Sequence, residues 1–285
     1  RGLFMAEMRS FIGKHGLKLL LTISVTFLLV FMILPILDMF TKSVVDDNGF
    51  TWSYFKEFFS KSLYAKILLN TIRLSLIIGL VTIVLGYPVA YLMNRVGPVL
   101  RCIIMGCVQI PFWTSLLVRT YSWIAILQNQ GVVNVVLQKL GIIKQPIQLL
   151  YNDAGVIIVM TYIMLPYMIF SISSVMGQID KNVIIASRSL GAGKTMTFFR
   201  IFLPLSLPGI MSGFFIVFLN TMGYYIVPAL VGGQKSQMFS QTIQNELSGV
   251  LNWNFASAIS IILVMVTMMI VLASKAATKQ KYAEV

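Results

Sequence analysis

The chain has 285 residues, of which 58% are hydrophobic and only 11% are charged. Soluble globular proteins carry about 25% charged residues, so this composition excludes a soluble domain and indicates an integral membrane protein. The net charge of +13 does not indicate nucleic-acid binding, because the basic residues lie in loops beside apolar stretches. The sequence contains no Ser/His/Asp arrangement, metal-ligand spacing or paired intramembrane carboxylates, so nothing in it indicates an enzyme.

Six apolar stretches are long enough to cross a membrane, which takes roughly 20 residues of helix. We therefore predict an all-α, polytopic protein with six transmembrane helices in a single domain over residues 1–285. The predicted spans are 17–40, 67–92, 102–127, 154–176, 205–231 and 255–274.

The distribution of Lys and Arg predicts that both termini are cytoplasmic. With the N-terminus inside, the cytoplasmic segments hold 13 of these residues and the outer segments hold seven. The basic N-terminal region, which includes His15, precedes the first span without a small-residue cleavage site, so we interpret that span as retained.

The first outer segment, residues 42–66, is rich in aromatic residues. We interpret it as an interfacial helix at the level of the lipid headgroups. The alternative is a docking surface for a periplasmic partner.

The second and third spans each contain residues with a predicted structural role. We expect Arg73 to snorkel to the outer interface, and Gly79 and Gly86 to allow close helix contacts. In the third span we expect Cys102 and Cys107 to be small apolar core residues that do not pair. Pro111 should kink or break this helix near the middle of the membrane.

Arg119 is an ionisable residue inside the third span, and such residues are functional candidates. It could attract an anionic substrate group. Alternatively it is structural, holding the carbonyls of a broken helix or snorkelling outward.

The fifth span combines small and polar residues. Gly209 and Gly213 form a small-xxx-small face for helix packing. Asn220, Tyr224 and Tyr225 could line a translocation path, because aromatic faces hold organic cations. Interhelical hydrogen bonds are the alternative explanation.

The polar segment at about 177–204 predicts a compact docking element. Asp180 is a candidate N-cap for a helix over 181–190, and Gly191 supplies a turn before a second helix bearing Phe198, Phe199 and Phe202. Pro204 should end that helix and Pro208 should begin another. The aromatic surface is too apolar to be left in water. The Gly193-Lys194-Thr195 triplet is no phosphate-binding loop, since Arg188 stands where the leading glycine belongs.

Two motifs carry a resemblance to a known family. The pattern E-A-A, three residues, G, nine residues, I-x-L-P of permease subunits of binding-protein-dependent ABC importers is similar to Ala186, Gly191, Ile201, Leu203 and Pro204. Ile185 stands for the usual Glu and Ser187 for the second Ala. The sequence P-F-W-T from Pro111, followed by Arg119 and Tyr121, resembles the B-type permeases of spermidine/putrescine importers.

The resemblance implies a type I ABC importer permease in a bacterial inner membrane. Its partners would be a second permease subunit, two ATPase subunits, a periplasmic solute-binding protein and membrane lipid, without nucleic acid. This chain would bind no cofactor, and ATP and Mg would lie on the partner ATPase. The residues expected to contact the ATPase are Arg188, Gly191, Ala192, Phe198 and Arg200, with Pro204 fixing the exit of the segment. Those expected to line the substrate path are Trp113, Arg119, Tyr121, Asn220, Tyr224 and Tyr225.

The substrate implied by the resemblance is a polyamine. Against it, the six spans hold no central Asp or Glu to neutralise a polycation. Importers of the same branch carry amino-acid-derived or anionic solutes such as opines and phosphonates, which suit Arg119 by charge. A secondary transporter working without ATP is the rival class, but it would usually carry intramembrane acids for ion coupling.

Overall fold

The computed structural model describes residues 2–46 and 49–283, without the side chains of 2–17, 19–20, 181 and 275–283; the prediction for His15 lies outside the described side chains. The described chain is almost entirely helical, with one two-stranded antiparallel hairpin, β1 and β2. In chain order the elements are α1 (Gly2–Val44), β1 (Val45–Asp46), β2 (Gly49–Phe50), α2 (Ser53–Ser60), α3 (Ser62–Met93), α4 (Pro98–Trp113), α5 (Leu116–Leu127), α6 (Val132–Lys139), α7 (Asp153–Met176), α8 (Lys181–Ser189), α9 (Lys194–Thr197), α10 (Leu203–Gly223), α11 (Ile226–Val231), α12 (Phe239–Asn245) and α13 (Trp253–Ala283).

The core is a bundle of three helices, α3, α7 and α10, and glycines allow these helices to approach closely. A Cβ on Gly209 would lie 2.9 Å from Val175 Cβ and 3.1 Å from the Ile172 Cα of α7. A Cβ on Gly79 of α3 would lie 2.6 Å from the Phe214 ring of α10. The predicted close contacts of these small residues are confirmed, and they replace the hydrophobic driving force that lipid does not supply.

Five described helices are continuous and apolar enough to span a membrane, and a sixth span is a broken pair. Residues 98–113 and 116–139 meet at a bend of 101°. The prediction of one span over 102–127 with a break at Pro111 therefore needs correction, since α4 continues through Pro111 to Trp113. The break falls at Thr114, which is extended, and at Ser115, which is also non-helical, and their hydroxyl side chains favour non-helical backbone.

The fifth span differs from its prediction at both ends. A helix runs without interruption from Lys194 to Gly223, so Pro204 does not end one helix and Pro208 does not begin another. The physical reason is a π-helical turn over 198–202, in which the Leu203 N–H donates to Phe198 O. This wider turn precedes Pro204 and accommodates its missing N–H within a continuous helix. At the other end, Tyr224 and Tyr225 separate α10 from α11, so 205–231 is not one helix.

The helix α4 lies at the periphery, and none of its residues is buried. Cys102 and Cys107 are free and exposed, so their prediction as core residues is wrong. Their apolar span turns this face away from the protein, where lipid or another subunit would cover it.

The outer segment after α1 is a packed cap. Phe58 of α2 is 3% exposed and lies in a second apolar cluster with Tyr64, Phe239 and Phe255. The Phe58 and Phe239 rings meet edge to face at 5.9 Å. One side of α2 is therefore buried against three other elements, while Trp52 and Phe59 stay exposed. The interfacial position at headgroup level and the alternative of a partner surface both stay predictions.

Arg73 pairs with Asp153, the first residue of α7, and does not simply snorkel outward. The other carboxylate oxygen, Asp153 Oδ1, accepts a hydrogen bond of 2.6 Å from Ser236 Oγ. This pair fastens α3, α7 and the 234–236 turn at one end of the bundle.

Candidate functional site

The segment between α7 and α10 forms the helix–turn–helix predicted from the sequence. Asp180 caps α8 by accepting a hydrogen bond of 2.8 Å from the Asn182 N–H. The helix ends at Ser189, and Gly191 then has φ +85°, a conformation that disfavours any residue with a Cβ. Ala192 N–H donates to Ser187 O at 3.1 Å and closes the turn.

A pair of hydroxyl groups joins the two arms of this turn. Ser187 Oγ and Thr197 Oγ1 lie 3.3 Å apart, and both side chains are buried. Sequence reasoning missed this pair, although Ser187 in place of the family's alanine was a signal. A buried polar pair stabilises the fold only when its hydrogen bond is made. Because the two hydroxyl groups must stay within hydrogen-bond distance, the pair favours one angle between α8 and α9.

The aromatic residues of the segment face two directions. Phe198 and Phe202 point toward α3, where both meet the Tyr91 ring edge to face at 5.4 and 5.2 Å. Only Phe199 is exposed, at 60%. The prediction of a surface made by all three phenylalanines is wrong, because the π-helical turn rotates two of them into the core.

The exposed apolar surface of the segment is nevertheless large. We call it the coupling face; its apolar members are exposed by 42–89% and are Val183, Ile185, Leu190, Met196 and Phe199. Two of the predicted contact residues, Arg188 and Arg200, are exposed beside it, and Pro204 is exposed farther along the helix. An apolar patch rimmed by charges is typical of a protein–protein interface.

A second group of predicted residues meets where two helices break. The break after Trp113 precedes α5, and the break after Gly223 precedes α11. Tyr224 lies within electrostatic range of Tyr167 of α7 and Arg119 of α5. The Tyr167 ring in turn meets the Phe112 ring edge to face at 5.2 Å. We call Phe112, Arg119, Tyr167 and Tyr224 the interior site, although Phe112, on the peripheral α4, is 43% exposed.

The guanidinium of Arg119 has an unsatisfied donor. Its Nε is buried and has no hydrogen-bond partner among the residues that the structure describes. An unpaired buried donor is costly, so the Nε of Arg119 is suited to donate a hydrogen bond to water, to a solute or to another subunit. Tyr167 and Phe112 were missed as members of the site; the L-P-Y and P-F-W sequences that contain them were the available signal.

The remaining predicted path residues lie outside this group. Trp113 is 90% exposed and Tyr121 is 58% exposed. Asn220 is exposed and donates to Ile216 O of its own helix at 2.8 Å, so its described hydrogen bond is not interhelical. Tyr225 lines a separate open cavity of about 580 Å³, whose other walls are largely carboxamides: Gln234, Gln237, Gln241, Gln244 and Asn245.

Comparison with known proteins gives the chain a family. Residues 82–277 match the family described as binding-protein-dependent transport system inner membrane component. The spermidine/putrescine transport system permease protein PotB of Haemophilus influenzae is 37% identical over 199 residues, which is 70% of each chain. The protein of the same name from Escherichia coli is 36% identical over 204 residues, or 72% of this chain and 74% of that one.

The fold is also found in a solved transporter. A chain of a bacterial ABC transporter that imports the acidic polysaccharide alginate superimposes with a TM-score of 0.74, covering 98% of this chain and 99% of that one at 17% identity. At this identity the likeness concerns the fold alone. The chain belongs to the family of binding-protein-dependent transport system inner membrane components and is a multi-pass permease subunit of an ABC importer.

Proposed function

We propose that this permease subunit forms half of the translocation path for a polyamine of the spermidine or putrescine type. The observation that carries the proposal is the 36–37% identity with two PotB proteins over about 70% of the chain. The second half of the path comes from a second permease subunit, and a periplasmic solute-binding protein delivers the polyamine.

The coupling face transmits the work of two partner ATPase subunits, which bind ATP and Mg. Its exposed apolar side chains fit a groove on such a subunit, and Arg188 and Arg200 are placed to pair with acidic groups at the rim. Gly191, Ala192 and the Ser187–Thr197 pair keep the two arms at a fixed angle. Movement of the ATPase then turns the whole Lys194–Gly223 helix, because that helix has no break between the coupling face and the interior site.

The interior site receives the solute. The Tyr224 and Tyr167 rings offer π faces to ammonium groups. Arg119 carries the same sign as the polycation, so the site holds it weakly unless the second permease supplies carboxylates. Weak binding suits a path through which the solute must pass on.

Uptake into proteoliposomes tests the substrate. The chain is purified with the subunits that copurify, reconstituted, and supplied with its binding protein and labelled spermidine. We expect uptake that requires ATP inside and that putrescine inhibits. Uptake driven by an ion gradient without ATP would overturn the importer mechanism.

An anionic, amino-acid-derived solute is the second candidate, and the unpartnered Nε of Arg119 favours it. The substitution Arg119→Gln separates the two. Uptake of an anion should fall sharply, whereas uptake of spermidine should be unchanged or higher because a like charge is removed.

We further propose that the coupling face and both termini lie in the cytoplasm, in line with the excess of Lys and Arg in those segments. The test uses single cysteines in a chain carrying Cys102→Ser and Cys107→Ser. Ser189 and Ser248 are both exposed, so a cysteine at either position is accessible to a reagent on its own side of the membrane. A membrane-impermeant maleimide added to intact spheroplasts should label Ser248→Cys, on the outer side, and leave Ser189→Cys, on the cytoplasmic side, unlabelled. The reverse pattern would invert the topology.

A further inference from the structure

We propose that a cavity behind the coupling face binds the phosphate headgroup of an anionic phospholipid. The cavity has a volume of about 440 Å³ and is lined by Arg95, Arg101 and Arg188, together with apolar side chains that include Met176, Ile184, Ile185 and Phe202. Ile185 belongs to the coupling face and Arg188 lies at its rim, so the two surfaces adjoin. The lipid is thus a further ligand of this subunit, separate from the solute path.

The three arginines come from different parts of the chain. Arg95 follows α3, Arg101 lies in the first turn of α4, and Arg188 lies in the last turn of α8. No acidic residue lines the cavity, and none of the ion pairs found in the described part of the chain involves these arginines. Three guanidinium groups without counter-ions favour an anion with several acceptor oxygens, which a phosphate provides.

The cavity is preformed. Asn94 Nδ2 donates to Ala90 O at 2.8 Å and to Ser173 Oγ at 2.9 Å, so the end of α3 is tied to α7. A Cβ on Gly177 would lie 3.3 Å from Asn94 Oδ1, which shows how closely the two segments meet. The Arg95 guanidinium lies 4.3 Å above the Tyr91 ring. A cation held by stacking loses little conformational freedom when it binds an anion.

The place of the cavity and its apolar walls select a lipid over a soluble phosphate. It lies where α3 and α7 end and α4 begins, and these helices span the membrane, so it sits at headgroup level. Basic pockets between transmembrane helices on the cytoplasmic side commonly bind anionic headgroups. Apolar side chains beside the arginines suit the glycerol and upper acyl carbons of the lipid. The cytoplasmic assignment rests on the proposed topology, but binding to the cavity does not.

The consequence is mechanical. Arg188 belongs to α8, whereas Arg95 and Arg101 flank the loop between α3 and α4. A bound headgroup therefore bridges the coupling face to the membrane helices and stabilises the angle at which α8 meets its partner. We expect anionic lipid to raise thermal stability and to strengthen coupling of the subunit to its ATPase.

Thermal unfolding in nanodiscs tests the proposal. The full chain with its copurified subunits is compared in phosphatidylcholine discs with and without phosphatidylglycerol, and lipid retention is followed by native mass spectrometry. We expect a higher unfolding midpoint in discs that contain phosphatidylglycerol. Arg101→Gln should lower the affinity for phosphatidylglycerol about fivefold, and the double variant Arg95→Gln/Arg101→Gln should lower it further. The matched control is Lys194→Gln, an exposed cation outside the cavity, whose response to lipid should equal that of the parent.

Three outcomes would overturn the proposal. An unchanged lipid response in the double variant would place the lipid elsewhere. An equal stabilisation by millimolar inorganic phosphate or glycerol 3-phosphate in plain discs would assign the cavity to a soluble anion. Loss of ATPase copurification with no change in lipid response would assign the arginines to the subunit joint. None of these readouts uses transport, so the lipid site and the polyamine assignment can fail independently.

Discussion

The helices α7 and α4 are both apolar and both contain a proline, yet only α7 crosses the membrane as a single helix, whereas the span that α4 begins is broken. Pro166 is buried in α7, which continues to Met176 between α3 and α10. Pro111 lies in α4, which has no buried residue and ends at Trp113. The proline alone therefore does not decide where a membrane helix breaks. A helix that is packed between neighbouring helices stays regular at its proline. A helix without such packing breaks where Thr and Ser side chains favour a non-helical backbone.

The largest effect in this comparison is expected when a glycine of a packed helix, and not one of the peripheral helix, is replaced by valine. Gly209→Val should destabilise the protein by about 1–3 kcal/mol, because its side chain would collide with Val175 and with the Ile172 backbone. Gly106→Val in α4 is the matched control, since a Cβ there meets nothing within 4 Å. Thermal unfolding in detergent measures both. Equal effects would show that α4 is as tightly packed as the core.

The next test concerns the turn between α8 and α9, where a side chain would meet no neighbour but the backbone conformation can still exclude it. A Cβ on either Gly191 or Gly193 meets open space, but only Gly191 has a positive φ, +85°. A β-branched residue there costs about 1–2 kcal/mol or more, so Gly191→Val should reduce ATP-driven uptake roughly tenfold with normal membrane insertion. Gly193→Val, at φ −65°, should transport normally. Normal uptake by the Gly191 variant would remove the turn from the coupling mechanism.

A smaller effect is expected at the outer end of the core. The Arg73–Asp153 pair has side-chain exposures of 58% and 34%, so solvent screens it substantially. Arg73→Met should cost about 0–1 kcal/mol and the loss should shrink at high salt. The salt dependence of the unfolding midpoint measures this, with Lys56→Met, an exposed cation of the cap, as control. A loss of several kcal/mol that ignores salt would make the pair part of the core.

The smallest effect concerns Glu246, between α12 and α13 in the outer cap. Burial, and to a smaller extent the nearby Glu57, raises the pKa of Glu246, while Lys61 opposes the shift. A carboxyl group whose pKa is higher in the folded state destabilises the fold above that pKa, and the penalty disappears as pH falls below the unfolded pKa. Glu246→Gln should therefore raise the unfolding midpoint at neutral pH and leave it unchanged in acid.

The control for this prediction is Glu57→Gln, which removes the 2.6 Å ion pair with Lys61 and should bring no comparable gain at neutral pH. A midpoint for Glu246→Gln that is lower than that of the parent at neutral pH would show that the carboxylate is stabilising.

Much of the candidate site could be predicted because its determinants are local. Asp180 caps α8 through its own side chain, and Gly191 adopts the conformation that only glycine takes easily. Gly209 lies on the packed face of α10 because helical periodicity places small residues there. The failures share a different origin. Pro204 predicts the end of a helix, but a π-helical turn over 198–202 lets the helix continue through Pro204, and no residue in that stretch predicts such a turn.

The sequence by itself determined the class of the protein: apolar length sets the spans, charge distribution sets the predicted topology, and the motif around Gly191 sets the turn. The tertiary structure alone decided which way Phe198 and Phe202 face, and that Arg119 comes within electrostatic range of Tyr224. Those features depend on contacts between residues far apart in the chain. Spacing along one helix fixes a face of that helix, but only packing against other helices decides what the face meets.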